Sequence, residues 1–175
     1  MTTGQEKTTQ ALKYCIQMEI DGKEFYQQAC KASQSELGKK LFESLAKQED
    51  FHRQKFERIF TNISKAQKWP VMEFKPEAGQ TLKTIFSGAS GKAAKIVEAA
   101  QTEVDAIQKA MQMEDKSYDY YRQHFAQAAK GPEKDFYEKI AGEERVHKLI
   151  LVDYAEYLRD PAAWFVKAEH SAIAG

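Results

Sequence analysis

Glu143-Glu144-Arg145-Val146-His147 has an earlier counterpart in the chain: Glu49-Asp50-Phe51-His52 shows the same Glu-x-x-His spacing 95 residues upstream. The same offset places Met18-Glu19 on Met113-Glu114, Tyr26 on Tyr121, Glu43 on Glu138 and Ala46 on Ala141. Six candidate metal ligands therefore come as two matched sets, Glu19, Glu49 and His52, then Glu114, Glu144 and His147. On a helix, residues i and i+3 project to nearly the same side, so each Glu-x-x-His pair aims a carboxylate and an imidazole at one point.

The sequence around these residues reads as helix. Leu12, Cys15, Ile16, Glu19, Gly22, Tyr26 and Cys30 recur at spacings of three and four over 5–33. Leu41, Phe42, Leu45, Glu49, His52, Phe56 and Phe60 do the same over 36–64, with Ser35 placed to cap the helix. A third helix, 102–129, puts Ile107, Ala110, Met111, Glu114, Tyr118, Tyr121 and Phe125 inward. A fourth, 132–159, does so with Phe136, Tyr137, Ile140, Glu144, His147, Leu151 and Tyr154. Gly131-Pro132 is expected to cap the third helix and open the fourth, and Asp160-Pro161 to close it. In every stripe the ligand candidates interrupt apolar residues, and a charge buried there must be paired or must bind a metal.

Loop lengths set the topology. Glu19 to Glu49 and Glu114 to Glu144 are each 30 residues, which suits two antiparallel helices joined by a short turn. Glu49 to Glu114 is 65 residues, long enough for one crossover between helices 2 and 3. Within it, Trp69-Pro70, Lys75-Pro76, Gly79 and Gly88 break the periodicity, and Thr102-x-x-Asp105 resembles a capping box that would set 91–100 apart as a short helix. The expected fold is all-α: one domain over 1–175, a ferritin-like four-helix bundle with one long crossover and a short C-terminal segment, 161–175. That segment, with Trp164 and Phe165, is expected to pack on the bundle or on a second subunit.

Composition narrows the function. The 26 acidic and 26 basic side chains cancel, so no field draws the chain to nucleic acid or an anionic membrane, and no window is apolar enough to span a bilayer. The N-terminus lacks a signal-peptide core, and Cys15 and Cys30, roughly 22 Å apart on one helix, cannot pair. The cytoplasm is the expected compartment.

Carboxylate and imidazole ligands favour iron or manganese over thiolate-seeking metals. Four carboxylates also balance two divalent ions. Glu49 and Glu144 are expected to bridge the ions, with Glu19 and Glu114 terminal and one histidine on each. The rival reading is a duplicated hairpin that keeps inward polar pairs without metal; against it, four uncompensated carboxylates in an apolar core would repel one another. Tyr26 and Tyr121, each two turns beyond a ligand Glu, would either hydrogen-bond ligand carboxylates or serve as core aromatics. Tyr118 is a similar, weaker candidate. Cys15 reads as an inert buried thiol, Glu143 as solvated, and His124 and His170 as surface residues.

Taken together, Ala46-x-x-Glu49-x-x-His52, Ala141-x-Glu143-Glu144-x-x-His147, Met18-Glu19 and Met113-Glu114 resemble the rubrerythrin branch of the ferritin-like superfamily, over about 8–160. The resemblance implies a non-haem diiron centre on those six ligands, with manganese or zinc as substitutes. It also implies frequent homodimers and reduction of peroxide or dioxygen. Typical members add a rubredoxin-like domain with two Cys-x-x-Cys pairs, which these 175 residues lack, so electrons would come from an external donor such as a rubredoxin-like protein. They also tend to carry an extra Glu one turn after the third-helix ligand, where this chain has Ser117, matched by Gly22 in the first half. The alternatives are an iron-binding, ferroxidase or storage protein without a dedicated substrate, and a metal-stabilised interaction module.

Overall fold

The computed structural model describes residues 4–66, 68–73, 101–164 and 166, and among these four long helices carry the chain. They are α1 (Gly4–Ala32), α2 (Glu36–Ala66), α3 (Gln101–Gln127) and α4 (Pro132–Arg159). There is no strand among the described residues. α1 packs along α2 and α3 along α4, and the two hairpins meet through α1 against α3 and α2 against α4. This is the all-α, ferritin-like bundle that the spacing predicts.

Each hairpin is tied by local chemistry. The Gly38 N–H donates to Ser35 Oγ at 3.2 Å, so Ser35 caps α2 as expected. Gly131, at φ 147°, precedes Pro132 at the start of α4. It does not cap α3, which already ends at Gln127. Thr102 likewise lies inside α3 and does not cap it. Asp160 ends α4 with its N–H on Glu156 O, and Asp160 Oδ1 accepts from Ala163 N–H at 3.0 Å, starting one further helical turn at 161–164. Trp164 in that turn meets Tyr157 edge-on at 5.9 Å, so this part of the tail seats on the bundle. The expected helix at 91–100, the breaks at Lys75-Pro76, Gly79 and Gly88, His170 and most of 161–175 lie outside the described residues.

The core has two apolar layers. One gathers Tyr26, Leu41, Phe42, Leu45, Ile107, Leu151 and Tyr154. The other gathers Leu12, Phe56, Ile59, Tyr121, Phe136, Tyr137 and Ile140. Along every helix the ligand candidates fall between a residue of one layer and a residue of the other. Each buried Leu, Ile or Phe contributes about 1.5–3 kcal/mol, the stabilisation against which a polar middle layer can be held. At one end of the bundle, buried Glu103 accepts from Ser33 Oγ at 2.8 Å and Tyr154 OH at 2.6 Å, tying the α1–α2 turn to α3 and α4. Gly38 makes room for this junction: a Cβ there would overlap Glu103 Oε1 and the Tyr154 hydroxyl. Neither Glu103 nor Ser33 announces itself by repeat, since the matching positions hold Thr8 and Ala128.

Candidate metal centre

All six expected ligands come together in the middle layer, and all are buried. They form two overlapping groups. Glu19, Glu49, His52 and Glu144 offer one ligand atom each within 4.8 Å of one another, and so do Glu49, Glu114, Glu144 and His147. Glu49 and Glu144 belong to both groups, which is the placement required of bridging carboxylates.

The lone pairs converge. His52 Nδ1 faces Glu144 Oε1 at 3.1 Å and Glu19 Oε2 at 3.5 Å. His147 Nδ1 faces Glu49 Oε1 at 3.1 Å, Glu114 Oε2 at 3.6 Å and Glu144 Oε2 at 3.8 Å. The two imidazoles lie nearly parallel, 14° between planes and 5.4 Å between centroids. Glu19 Oε2, Glu49 Oε1, Glu144 Oε1, His52 Nδ1 and His147 Nδ1 are buried without a hydrogen-bond partner. Buried polar atoms are ordinarily satisfied, and five unsatisfied acceptors pointed at two shared centres fit cations.

Hydrogen bonds beyond the ligands orient them. The Tyr26 hydroxyl donates to Glu114 Oε1 and the Tyr121 hydroxyl to Glu19 Oε1. Each tyrosine thus serves the carboxylate of the other hairpin, across the interface, and leaves Oε2 turned toward the histidine. Of the two sequence readings for these residues, the structure supports hydrogen bonding to the ligand carboxylates.

Gln48 was not legible as a site residue. Its Nε2 donates to Ser44 Oγ at 3.3 Å. Its Oε1 lies 2.7 Å from His147 Nε2, a contact that favours the hydrogen on Nε2 and, in the neutral imidazole, leaves the Nδ1 lone pair for a metal. The one signal was the repeat: Gln48 precedes a ligand Glu and matches Glu143, also polar. Gly22 bears on the site by its lack of a side chain, since a Cβ there would sit 3.0 Å from Glu49 Oε2.

The electrostatics match this geometry. Burial, then repulsion from neighbouring carboxylates, pushes Glu49 and Glu144 well above the ordinary carboxylate range. Burial alone would lower His147 and raise Glu114, but each overrides it for the other: His147 is held up by Glu114 and Glu49, and Glu114 is held down by His147 and its hydrogen bonds. Protons are therefore taken up where positive charge is missing, and cations of higher charge would displace them.

The remaining candidates divide. Cys15 is buried, and burial followed by the Glu19 charge raises its thiol, in keeping with an inert role. Tyr118 is half-buried and packs beside the Tyr121 layer. Glu143 is partly buried, not fully solvated. His124 is also half-buried, stacked on Tyr137 at 5.0 Å and 4.6 Å from Tyr120; these rings cover it, so it is not the surface residue that the sequence suggests. No helix among the described residues is long and apolar enough to cross a membrane.

No curated protein and no solved structure matches the chain. The family model of rubrerythrin, by contrast, matches residues 10–155, a span that includes every residue of the buried cluster and both cross-bonded tyrosines, and the chain belongs to the rubrerythrin family.

Proposed function

We propose that the chain is a non-haem diiron oxidoreductase that reduces peroxide or dioxygen with electrons from an external donor. The observation that carries this reading is the set of five unsatisfied lone pairs converging on two centres that share Glu49 and Glu144. Glu19 and His52 would hold one ion, Glu114 and His147 the other, with manganese or zinc able to occupy the same donors. Bound iron supplies redox equivalents and open coordination positions for a small oxidant.

The chain's own residues do the rest. Tyr26 and Tyr121 lock Oε1 of the terminal carboxylates, so that only Oε2 turns inward. Gln48 favours the His147 tautomer with its hydrogen on Nε2. The two apolar layers exclude bulk water from the carboxylates between them. The absence of a side chain at Gly22 leaves Glu49 Oε2 its place.

Stopped-flow mixing of the iron-loaded, reduced protein with hydrogen peroxide tests the reading. Rapid oxidation of two irons per chain, with turnover once a reductant is added, is the expected result. Slow oxidation with many irons retained per chain would overturn it in favour of iron storage.

A further inference from the structure

The rings around the two cross-bonded tyrosines have matched geometry and different chemistry. Beside Tyr26 stand Phe25 at 5.7 Å and Phe42 at 6.3 Å between centroids. The 95-residue offset puts Tyr120 and Tyr137 at the matching positions beside Tyr121, at 6.2 Å and 6.4 Å. All four separations are ordinary aromatic contacts. Phenols lose an electron far more readily than the benzene ring of phenylalanine. Among the described residues Tyr26 therefore touches only rings that do not oxidise, while Tyr121, beside Phe56 at 5.4 Å, also touches two rings that do.

The oxidisable rings continue outward. Tyr120 meets Tyr14 at 4.8 Å, and Tyr14 is 43% exposed. Tyr137 meets half-buried Trp69 at 5.5 Å. On the other side, Tyr154, Tyr157 and Trp164 form a comparable file, but Phe42 stands between Tyr154 and Tyr26, at 6.2 Å from the former.

We propose that Tyr121, Tyr120 and Tyr137 form a one-sided electron relay that carries excess oxidising equivalents from the metal centre outward to exposed Tyr14 and half-buried Trp69. The inference rests on the peroxide-reducing reading above. Cleaving the O–O bond of hydrogen peroxide to two waters consumes two electrons and two protons. When the centre can give only one electron, Tyr121 gives the second, and its phenolic proton passes into the hydrogen bond with Glu19 Oε1. Tyr120 or Tyr137 returns an electron to Tyr121, and Tyr14 or Trp69 returns one to them. A one-electron reductant in solution, of the thiol or ascorbate class, then restores the outer ring. Solvent resupplies the proton. The tyrosines end unchanged, and the balance is one electron from the centre, one from the reductant and two protons for each peroxide.

The relay is tested by Tyr120→Phe combined with Tyr137→Phe, substitutions whose products already occupy the matching positions 25 and 42. In iron-loaded protein treated with excess hydrogen peroxide and a nitroso spin trap, mass spectrometry should find adducts on Tyr14 and Trp69 in the parent chain. The double variant should reduce them at least tenfold, with peroxide consumption in the first turnover unchanged. The mirror pair, Phe25→Tyr with Phe42→Tyr, should open adducts on Trp164. A second arm needs no metal. Flash oxidation of the metal-free protein by tris(bipyridine)ruthenium should leave a buried tyrosyl signal in electron paramagnetic resonance, absent in Tyr121→Phe and at least tenfold weaker in the double variant. Adducts or a buried radical undiminished in the double variant would overturn the relay. Peroxide left unconsumed by the parent chain would overturn the function proposed above, and the metal-free arm would still decide the relay.

Discussion

The first hairpin sets Phe25 and Phe42 beside its site tyrosine, and the second sets Tyr120 and Tyr137, although the ligands of the two hairpins agree one for one. The agreement is complete among the residues of the buried cluster and patchy elsewhere. Glu19, Glu49 and His52 match Glu114, Glu144 and His147, and Tyr26 and Tyr121 exchange hydrogen bonds across the pair. One step further out, Gly22 is matched by Ser117 and Gln48 by Glu143. A two-fold constraint on the cluster coexists with freedom around it, as expected where cations would fix donor geometry and packing asks only for volume.

If the halves share the ions equally, removing either bridging group should give the largest effect, and the same effect. Glu49→Gln and Glu144→Gln should each reduce the metal content, measured by elemental analysis, from two ions per chain to one or none. The metal-free protein should respond in the opposite direction. Because burial and neighbouring carboxylates oppose ionisation of these two groups, removing one charge should raise its stability in thermal or denaturant unfolding at neutral pH. Unequal losses between the two variants would break the equivalence.

The pH dependence should reverse with metal. Glu49 and Glu144 are held above their ordinary value of 4.5, by burial first and neighbouring carboxylates second. His147 is held above 6.5 by Glu114 and Glu49 despite its burial. Each of these groups binds its proton more tightly in the folded chain. Their contribution is complete at low pH and lost as pH rises through the elevated values. Glu114, held below 4.5 by His147 and its hydrogen bonds despite burial, opposes the trend within the cluster, as do Glu36, Glu43 and Asp50 on the surface, each held down by a lysine. The melting temperature of the metal-free protein should therefore fall as pH rises from about 4.5. That of the loaded protein should fall on acidification, since the ions need ionised carboxylates and neutral imidazoles.

Smaller effects sharpen the comparison. Tyr26→Phe and Tyr121→Phe should each weaken metal binding by about 10–100-fold, to a similar extent, as calorimetric titration would show. Gln48→Leu should weaken one ion by about tenfold and leave the other, giving a two-step titration where the parent gives one. A single step in that variant would mean that His147 needs no orienting partner.

The fold was open to reading because ligand spacing and helix periodicity coincide: the residues that fix the metal also fix which face points inward. The 95-residue repeat picked out all six residues of the buried cluster for the same reason. It also suggested Tyr26 and Tyr121, but not that each would bond the opposite hairpin, because a repeat shows which positions correspond and says nothing about which of them meet. Gln48 stayed hidden since its partner, His147, is 99 residues away. Glu103 stayed hidden since its partners, Ser33 and Tyr154, have no counterpart in the repeat. Gly131-Pro132 opens α4 as read, but the capping of α3 by Gly131 and by Thr102 was misread, because glycine and threonine serve turns and caps alike and the neighbouring backbone decides which.

Anomalous diffraction from crystals grown with iron tests the central claim most directly. Two peaks per chain are expected, one beside Nδ1 of His52 and one beside Nδ1 of His147, with the carboxylates of Glu49 and Glu144 between them. A single peak, or ligation through Nε2 of His147 with Gln48 displaced, would contradict the account.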